Sequence, residues 1–471
     1  MLTSEVMHVV SYQPLWETLA RLDLSKTDLM RKSGITPSTM ARISKHDHVS
    51  LSTIEKICKV LNVQIEDVVQ RDTQSPLSGT FQPNRNEPIH RWYPYLEGYS
   101  QQLVNYELRN MRPGDTVYDP FGGSGTTPLT ALMNGMNGLY SEINPVMSFI
   151  AKTKLTAASR AMIGDIDLSH LQSWRMHFAK VDFKNNPLED VAPLGEFDRF
   201  FGEDALLGIR YLRKCIAKES DQLTQDLLRL ALASIAVPVS MMVRRGDLRF
   251  ANSKEKERVV LAFRPTLLNK LDDILQDLQA LPNRMPSANA MTSADVRSSE
   301  LNECADVVVT SPPYLNGTNY FRNTKLEMRL LDLIQEEAEL SGFYEQGITA
   351  GINNVSSRRK YETLDHPELI ILVERLEEEA YDSRIPKMVA GYFADMKAAI
   401  DKIRLALKPG GILSFDIGDS QFAGVHVPTH TLLNDLIENA GFSSLGETVL
   451  RTRRSRNGMN LSQRVMRYVK K

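Results

Sequence analysis

Two hydrophobic rhythms run along the chain. Short apolar stretches closed by glycine, proline or polar turns read as strands at 116–118, 138–141 and 306–309. Apolar residues recurring every three to four positions predict helices at 205–217, 222–237 and 266–281, and five short ones at 16–22, 26–32, 37–44, 51–61 and 65–69. Gly34 sits at the tight turn between the second and third of these, and Ser25 and Ser50 stand where N-caps belong. The longest apolar run, 230–243, contains Pro238 and is shorter than the roughly 20 residues a bilayer span needs, so it reads as a buried helix. Residues 71–85, rich in Pro, Ser, Gln and Asn, read as a linker.

Composition narrows this picture without changing it. A chain of 471 residues is long enough for about three domains, and 42% hydrophobic with 24% charged residues is ordinary globular usage. The net charge of -2 supplies no bulk attraction to nucleic acid, so a nucleic-acid face must be a local patch. Cys58, Cys215 and Cys304 are odd in number and share no ligand spacing, which points to neither a disulfide framework nor a zinc site. The first residues carry no signal-peptide pattern, and a cytoplasmic location is expected.

Two short stretches carry chemistry. Asp119, Pro120, Phe121, Gly122, Gly123, Ser124, Gly125 and Thr126 form a glycine loop between a strand and a helix that has Pro128 near its start. The loop lacks the Gly-Lys-Ser/Thr of a phosphate loop and the G-x-G-x-x-G of dinucleotide sites. Its glycines allow close backbone approach to a ligand, and the next strand ends in Glu142, a carboxylate suited to two ribose hydroxyls. The second stretch is Ser311, Pro312, Pro313 and Tyr314. An exocyclic amino group is a poor nucleophile because its lone pair is delocalised into the base. Ser311 and the Pro312 carbonyl can accept its hydrogens and align that lone pair, on a backbone stiffened by two prolines. Tyr314 offers a face for a base taken out of the duplex. Taken alone, the turn also fits a Pro-Pro stop to a buried strand, and Glu142 a solvated strand-end acid.

Together these stretches resemble motifs I and IV of the DNA methyltransferases that alkylate exocyclic amino groups, the Ser-Pro-Pro-Tyr spelling being most similar to the N4-cytosine branch. Ser293 to Arg297 resembles motif III, which implies that Asp295 reaches the adenine of S-adenosylmethionine, and His90 to Tyr95 with 100–110 resembles motif X, which implies that Tyr95 lies at the cofactor. Residues 319–325 are similar to the segment after the catalytic turn, 407–415 to the family's helix-turn-strand, and 464–469 to its closing edge strand. The implied fold is α/β, a Rossmann-like class I methyltransferase with a seven-stranded mixed sheet. Its cofactor half comes first (89–155), its catalytic half last (290–471), and a mainly helical insertion lies between (156–289). No cysteine follows a proline, which departs from the ring-carbon cytosine methyltransferases.

Residues 1–72 resemble a repressor-type helix-turn-helix domain, joined through a linker at 73–88. Ser38, Thr39 and Arg42 would face base edges or phosphates and Lys45 the backbone, although a packing or dimerisation module fits the same helices. In the insertion, Arg244, Arg245 and Arg249 around Gly246 suggest a phosphate clamp or a solvated basic turn; 356–361 and 451–456 are further basic candidates. The expected activity is transfer of methyl from S-adenosylmethionine to the N4 amino group of cytosine in double-stranded DNA, without a metal. The alternatives are N6-adenine or RNA methylation, or a repressor whose inactive methyltransferase portion senses cofactor. A cognate restriction endonuclease encoded nearby, autoregulation and nucleoid association in a bacterium or archaeon complete the expectation; recognition sequence and oligomeric state are not legible.

Overall fold

The computed structural model describes residues 9–471 apart from 23, 45–48, 73–78, 186–190, 246, 254, 256–259, 285–287, 317–319, 357–358, 362 and 456–457. The chain divides into two compact units, Met1–Leu77 and Ser78–Lys471. In the first, β1 (Val9–Ser11) precedes α1 (Gln13–Arg21), α2 (Lys26–Ser33), α3 (Pro37–Ser44) and α4 (Leu51–Leu61). The ends of α2 follow local chemistry: Ser25 and Asp28 form a reciprocal capping box, and Gly34 closes the helix in the left-handed conformation at φ 69. Leu15, Leu29, Ile43, Ile57 and Val68 make a small core of their own. The expected last helix is a single 3-10 turn, Ile65–Asp67, and Gln70–Asp72 is a strand, β2, antiparallel to β1. The linker reading of 71 and 72 is thereby corrected, because their partner strand lies some sixty residues away and leaves no local signal. Ser38 and Arg42 on α3 are exposed and Thr39 is half-buried, while Lys45 lies outside the described residues.

The second unit is built on a seven-stranded sheet. Its strands are β3 (Thr116–Asp119), β4 (Asn137–Ser141), β7 (Asn289–Ser293), β8 (Ala305–Thr310), β9 (Leu407–Gly418), β12 (Phe442–Arg454) and β13 (Asn460–Lys470), in the order β12-β13-β9-β8-β3-β4-β7. The pairings from β7 to β9 are parallel, and β13 runs antiparallel to both neighbours. Central strands read as continuous apolar runs because both faces are covered. Val117, Val308, Leu413 and Phe415 are all within 1% of full burial. The chain leaves β3 toward β4 on one side and reaches β8 on the other, so a crevice opens at the carboxyl ends of β3 and β8.

Residues 79–88 belong to this unit. The Asn84 side chain donates to the Tyr99 carbonyl and accepts from the Gln101 amide, and Phe81 is buried, so the linker expected to reach 88 ends earlier. The insertion does not start at 156 either, because α7 (Pro145–Met162) runs unbroken through that point. α8 (Ser169–Lys180), α9 (Glu203–Lys218), α10 (Gln222–Ile235) and α11 (Phe263–Ala280) pack into one core with Ile89 and Trp92. Asp277 fixes this docking by accepting from the Ile89 amide, the Trp92 indole and Arg91. The helix expected across 230–243 ends at Ile235, ahead of Pro238, and a hairpin of β5 (Met242–Arg245) and β6 (Asp247–Phe250) comes next. Residues 407–415 are strand throughout, and the helix before them is Arg384–Ala406. Among the described residues no helix is long and apolar enough to cross a membrane.

The hairpin corrects the phosphate-clamp reading. Arg244 points inward, its Nη2 lying 2.6 Å from Glu327 Oε1 and 2.6 Å from the Asn323 carbonyl. Glu327 is 1% exposed and also accepts from the Tyr93 hydroxyl, so the guanidinium balances a carboxylate that would otherwise be buried alone. Arg249 is forked onto Glu255, at 3.0 and 3.1 Å. The Arg245 side chain and Gly246 lie outside the described residues. Arg244→Ala strands Glu327 and is expected to lower the unfolding free energy in urea by about 3–5 kcal/mol, with a smaller loss for Glu327→Gln, whose amide remains neutral.

Candidate active site at the carboxyl ends of the parallel strands

Beyond β3 the chain turns through 120–125 into α6 (Thr126–Met133). The Asp119 carboxylate is buried and accepts from Thr310 Oγ1 at 2.7 Å, from the Tyr99 hydroxyl at 2.9 Å and from the Phe121 amide at 3.0 Å. It fastens the glycine loop to the end of β8 and does not line the cavity above it, which corrects its placement as a ligand contact. Gly125 is likewise absent from the lining. At φ +85 a Cβ on it would stand 3.0 Å from Ala151, so it serves the packing of α6 on α7. Gly123 has the ligand-side role: at φ +51 a Cβ would come 2.8 Å from the Tyr95 ring.

A cavity of about 240 Å³ occupies the crevice. Phe121, Gly122, Gly123, Ser124, Thr126, Glu142, Asp295 and Tyr95 line it together with Ser311, Pro312, Pro313 and Tyr314. Glu142 accepts from the Gly123 amide at 2.6 Å and the Asn144 amide at 2.7 Å, while its burial pushes the carboxyl up to about 7. Ser124 Oγ is buried without a partner, and an orphaned hydroxyl on a cavity wall fits a polar ligand. Asp295 caps the Val296–Ser298 turn, and its charge is taken up by Arg297, whose other arm reaches Asp395 at 2.7 Å. The residues present therefore fit S-adenosylmethionine: a carboxylate held toward a diol, an aromatic wall from Tyr95 and Phe121, and a glycine loop that leaves room for backbone contact.

At the other end, the turn of Ser311, Pro312, Pro313 and Tyr314 rests on a buried polar cluster. The Tyr314 hydroxyl donates to Asp416 Oδ2 at 2.8 Å and stands 3.4 Å from Ser311 Oγ. Gln463 Nε2 lies 2.8 Å from that hydroxyl, 2.9 Å from the Asp416 carboxylate and 3.0 Å from the Gly79 carbonyl. Two of these neighbours can only accept, which assigns the nitrogen to this position of the amide. Tyr392 donates to the Pro313 carbonyl at 3.1 Å, so that oxygen is engaged from behind. Burial pushes Asp416 up to about 6, against the pull of Gln463, Tyr314 and Ser311. Sequence reasoning missed Asp416 and Gln463. The signal for Asp416 was there, an acid inside an apolar strand, but Gln463 had none.

Of the remaining basic candidates, Arg359 is tied to Asp395 and Arg451 lines the cavity, whereas 357, 358 and 456 lie outside the described residues, as does 319 in the segment after the turn.

Residues 14–74 match the model of the Cro/C1-type HTH DNA-binding domain. The Type II methyltransferase M.BsoBI of Geobacillus stearothermophilus is 26% identical over 468 residues, covering 88% of this chain and 89% of that protein. M.AvaI of Nostoc sp. (strain PCC 7120 / SAG 25.82 / UTEX 2576) is 24% identical over 83% of this chain and 86% of its own, and M.MvaI of Kocuria varians 22% over 76% and 83%. With this sheet order and this cavity, the chain is a homologue of the Type II DNA methyltransferases that carries a Cro/C1-type helix-turn-helix domain at its N-terminus.

Proposed function

We propose that the chain transfers a methyl group from S-adenosylmethionine to the N4 amino group of cytosine in duplex DNA, within a restriction-modification system of the kind the Type II relatives' names imply. One observation carries the reading: a single cavity is walled by Glu142 and the glycine loop at one end and by Ser311, Pro312 and Tyr314 at the other. A donor at the first end and an amino group at the second would meet inside it.

S-adenosylmethionine, when bound, supplies an electrophilic methyl on sulfur. The chain holds and orients. Glu142 would accept from the ribose hydroxyls, and Tyr95 and Phe121 would flank the ligand. Ser311 and the Pro312 carbonyl accept from the target amino group, drawing its lone pair out of the ring and toward the methyl carbon. Methyl transfer, for which the bound donor would supply the carbon and a thioether leaving group that keeps the C–S electron pair, would oblige the target nitrogen to shed a proton. Ser311 adjoins the Tyr314 hydroxyl, which donates to Asp416, so the proton has a path to a buried carboxylate.

The base is identified by digesting DNA methylated with tritiated cofactor and separating the nucleosides. Label in N4-methylcytosine is expected, label in N6-methyladenine reassigns the base, and unlabelled DNA ends the proposal. Tyr314→Ala should lower turnover by at least about 10- to 100-fold, the ~1–3 kcal/mol of a lost base stack together with the lost hydroxyl link to Asp416, with cofactor affinity near that of the unsubstituted chain. Equal loss of both would make Tyr314 a packing residue.

The raised carboxyls set pH dependence. Glu142, pushed up to about 7, accepts from both hydroxyls of a diol most strongly as the carboxylate, so cofactor binding should tighten from pH 6 to pH 8 in titration calorimetry, and Glu142→Gln should bind weakly with no such trend. Asp416 accepts a proton only as the carboxylate, and its carboxyl lies at about 6. Turnover should fall as pH drops through 6, and Asp416→Asn should abolish that acid limb along with most of the rate.

A further inference from the structure

The basic clusters outside the N-terminal unit differ in one respect that only the structure reveals. Arg244 is neutralised by Glu327, Arg249 by Glu255 and Arg359 by Asp395. Arg453 and Arg454, at the end of β12, are exposed and have no carboxylate partner among the described residues. They stand where β12 and β13 outrun the sheet: β9 pairs with β13 only as far as Gly418 opposite Gln463, while β12 and β13 continue through Arg453 opposite Leu461 and Arg454 opposite Asn460. The overhanging ribbon forms one wall of a groove. The other wall is the hairpin of β10 (Ser420–Phe422) and β11 (Val425–Val427), and Tyr381 flanks it with 81% exposure. Among the described residues no acidic side chain lines this groove. Asn316, just past the catalytic turn, lines both the groove and the cofactor cavity, so the two are adjoining parts of one surface.

We propose that this groove carries the sugar-phosphate backbone of the DNA strand bearing the target base, with Arg453 and Arg454 on the phosphates beside the extruded nucleotide. The inference rests on the proposed DNA-methyltransferase activity. A base seated at Ser311 and Tyr314 stays covalently attached to its backbone, so the flanking phosphates must lie at the mouth of the cavity. Arginine forks suit phosphate oxygens there, and a chain of net charge -2 needs such a local positive patch. Phosphate contact at this site therefore falls to the ribbon, and not to Arg244 or Arg249 of the insertion.

The test is the salt dependence of the DNA KM for methylation by the full-length chain. R453A/R454A should lower the slope of log KM against log salt by about two units, with kcat at saturating DNA within about twofold. R453K/R454K should keep the original slope because the charge remains, and R249A should keep it because Glu255 already holds that guanidinium. An unchanged slope in R453A/R454A overturns the proposal, as does an equal reduction in the alanine and lysine pairs, which would assign both arginines to the shape of the ribbon. Absence of methyl transfer to any DNA by the unsubstituted chain would instead bring down the underlying activity.

Discussion

The hydrogen bond from Thr310 to Asp119 joins two stretches 191 residues apart, and the site depends on it. β3 and β8 are parallel neighbours, paired at Val117 with Val307 and Tyr118 with Val308, so both end at the same edge of the sheet. Each of the two strands leads directly into a turn that lines the cavity. A charged acceptor with three donors in a buried setting is held by contacts of roughly 1.5–3 kcal/mol each, enough to fix the glycine loop and the Ser311–Tyr314 turn against each other. Burial still raises the Asp119 carboxyl above its ordinary range, as expected for a charge stabilised by neutral donors alone.

The same constraint explains how a long helical insertion is accommodated. It enters between β4 and β7, which lie on the far side of β3 from β8, so its length does not disturb the β3–β8 contact. Loop length itself enters closure entropy only logarithmically. The insertion is nonetheless built into the core. Asp277 collects three donors from the 89–92 segment, and Arg244 reaches Glu327 just after the catalytic region. Its helices thus buttress Tyr95 and the segment after the turn from one face, while Arg384–Ala406 packs with Tyr314 and Leu315 on the other.

Buried polar groups at the catalytic end are arranged around neutral donors. Among the described residues Asp416 accepts hydrogen bonds from neutral donors such as Tyr314 and Gln463, and burial outweighs their pull and that of the Arg451 charge, so its carboxyl lies at about 6. Gln463 also bonds the Gly79 carbonyl, which ties the first residues of the second unit to the catalytic cluster.

Much was legible in the sequence because it is encoded locally. Glycine spacing, a Pro-Pro turn, N-cap serines and apolar runs are short-range signals, and they located the glycine loop, the Ser311–Tyr314 turn, the central strands and four of the N-terminal helices with small errors at their ends. The β1–β2 pair, the Asp277 anchor, Gln463 and the inward turn of Arg244 were not legible, since each depends on partners between 47 and 384 residues away. Sequence determined which chemical groups the chain possesses and which elements present them. Tertiary structure alone decided which charges are left unpaired, because an arginine reads the same whether a distant carboxylate neutralises it, as Glu327 does Arg244, or none does among the described residues, as at Arg453.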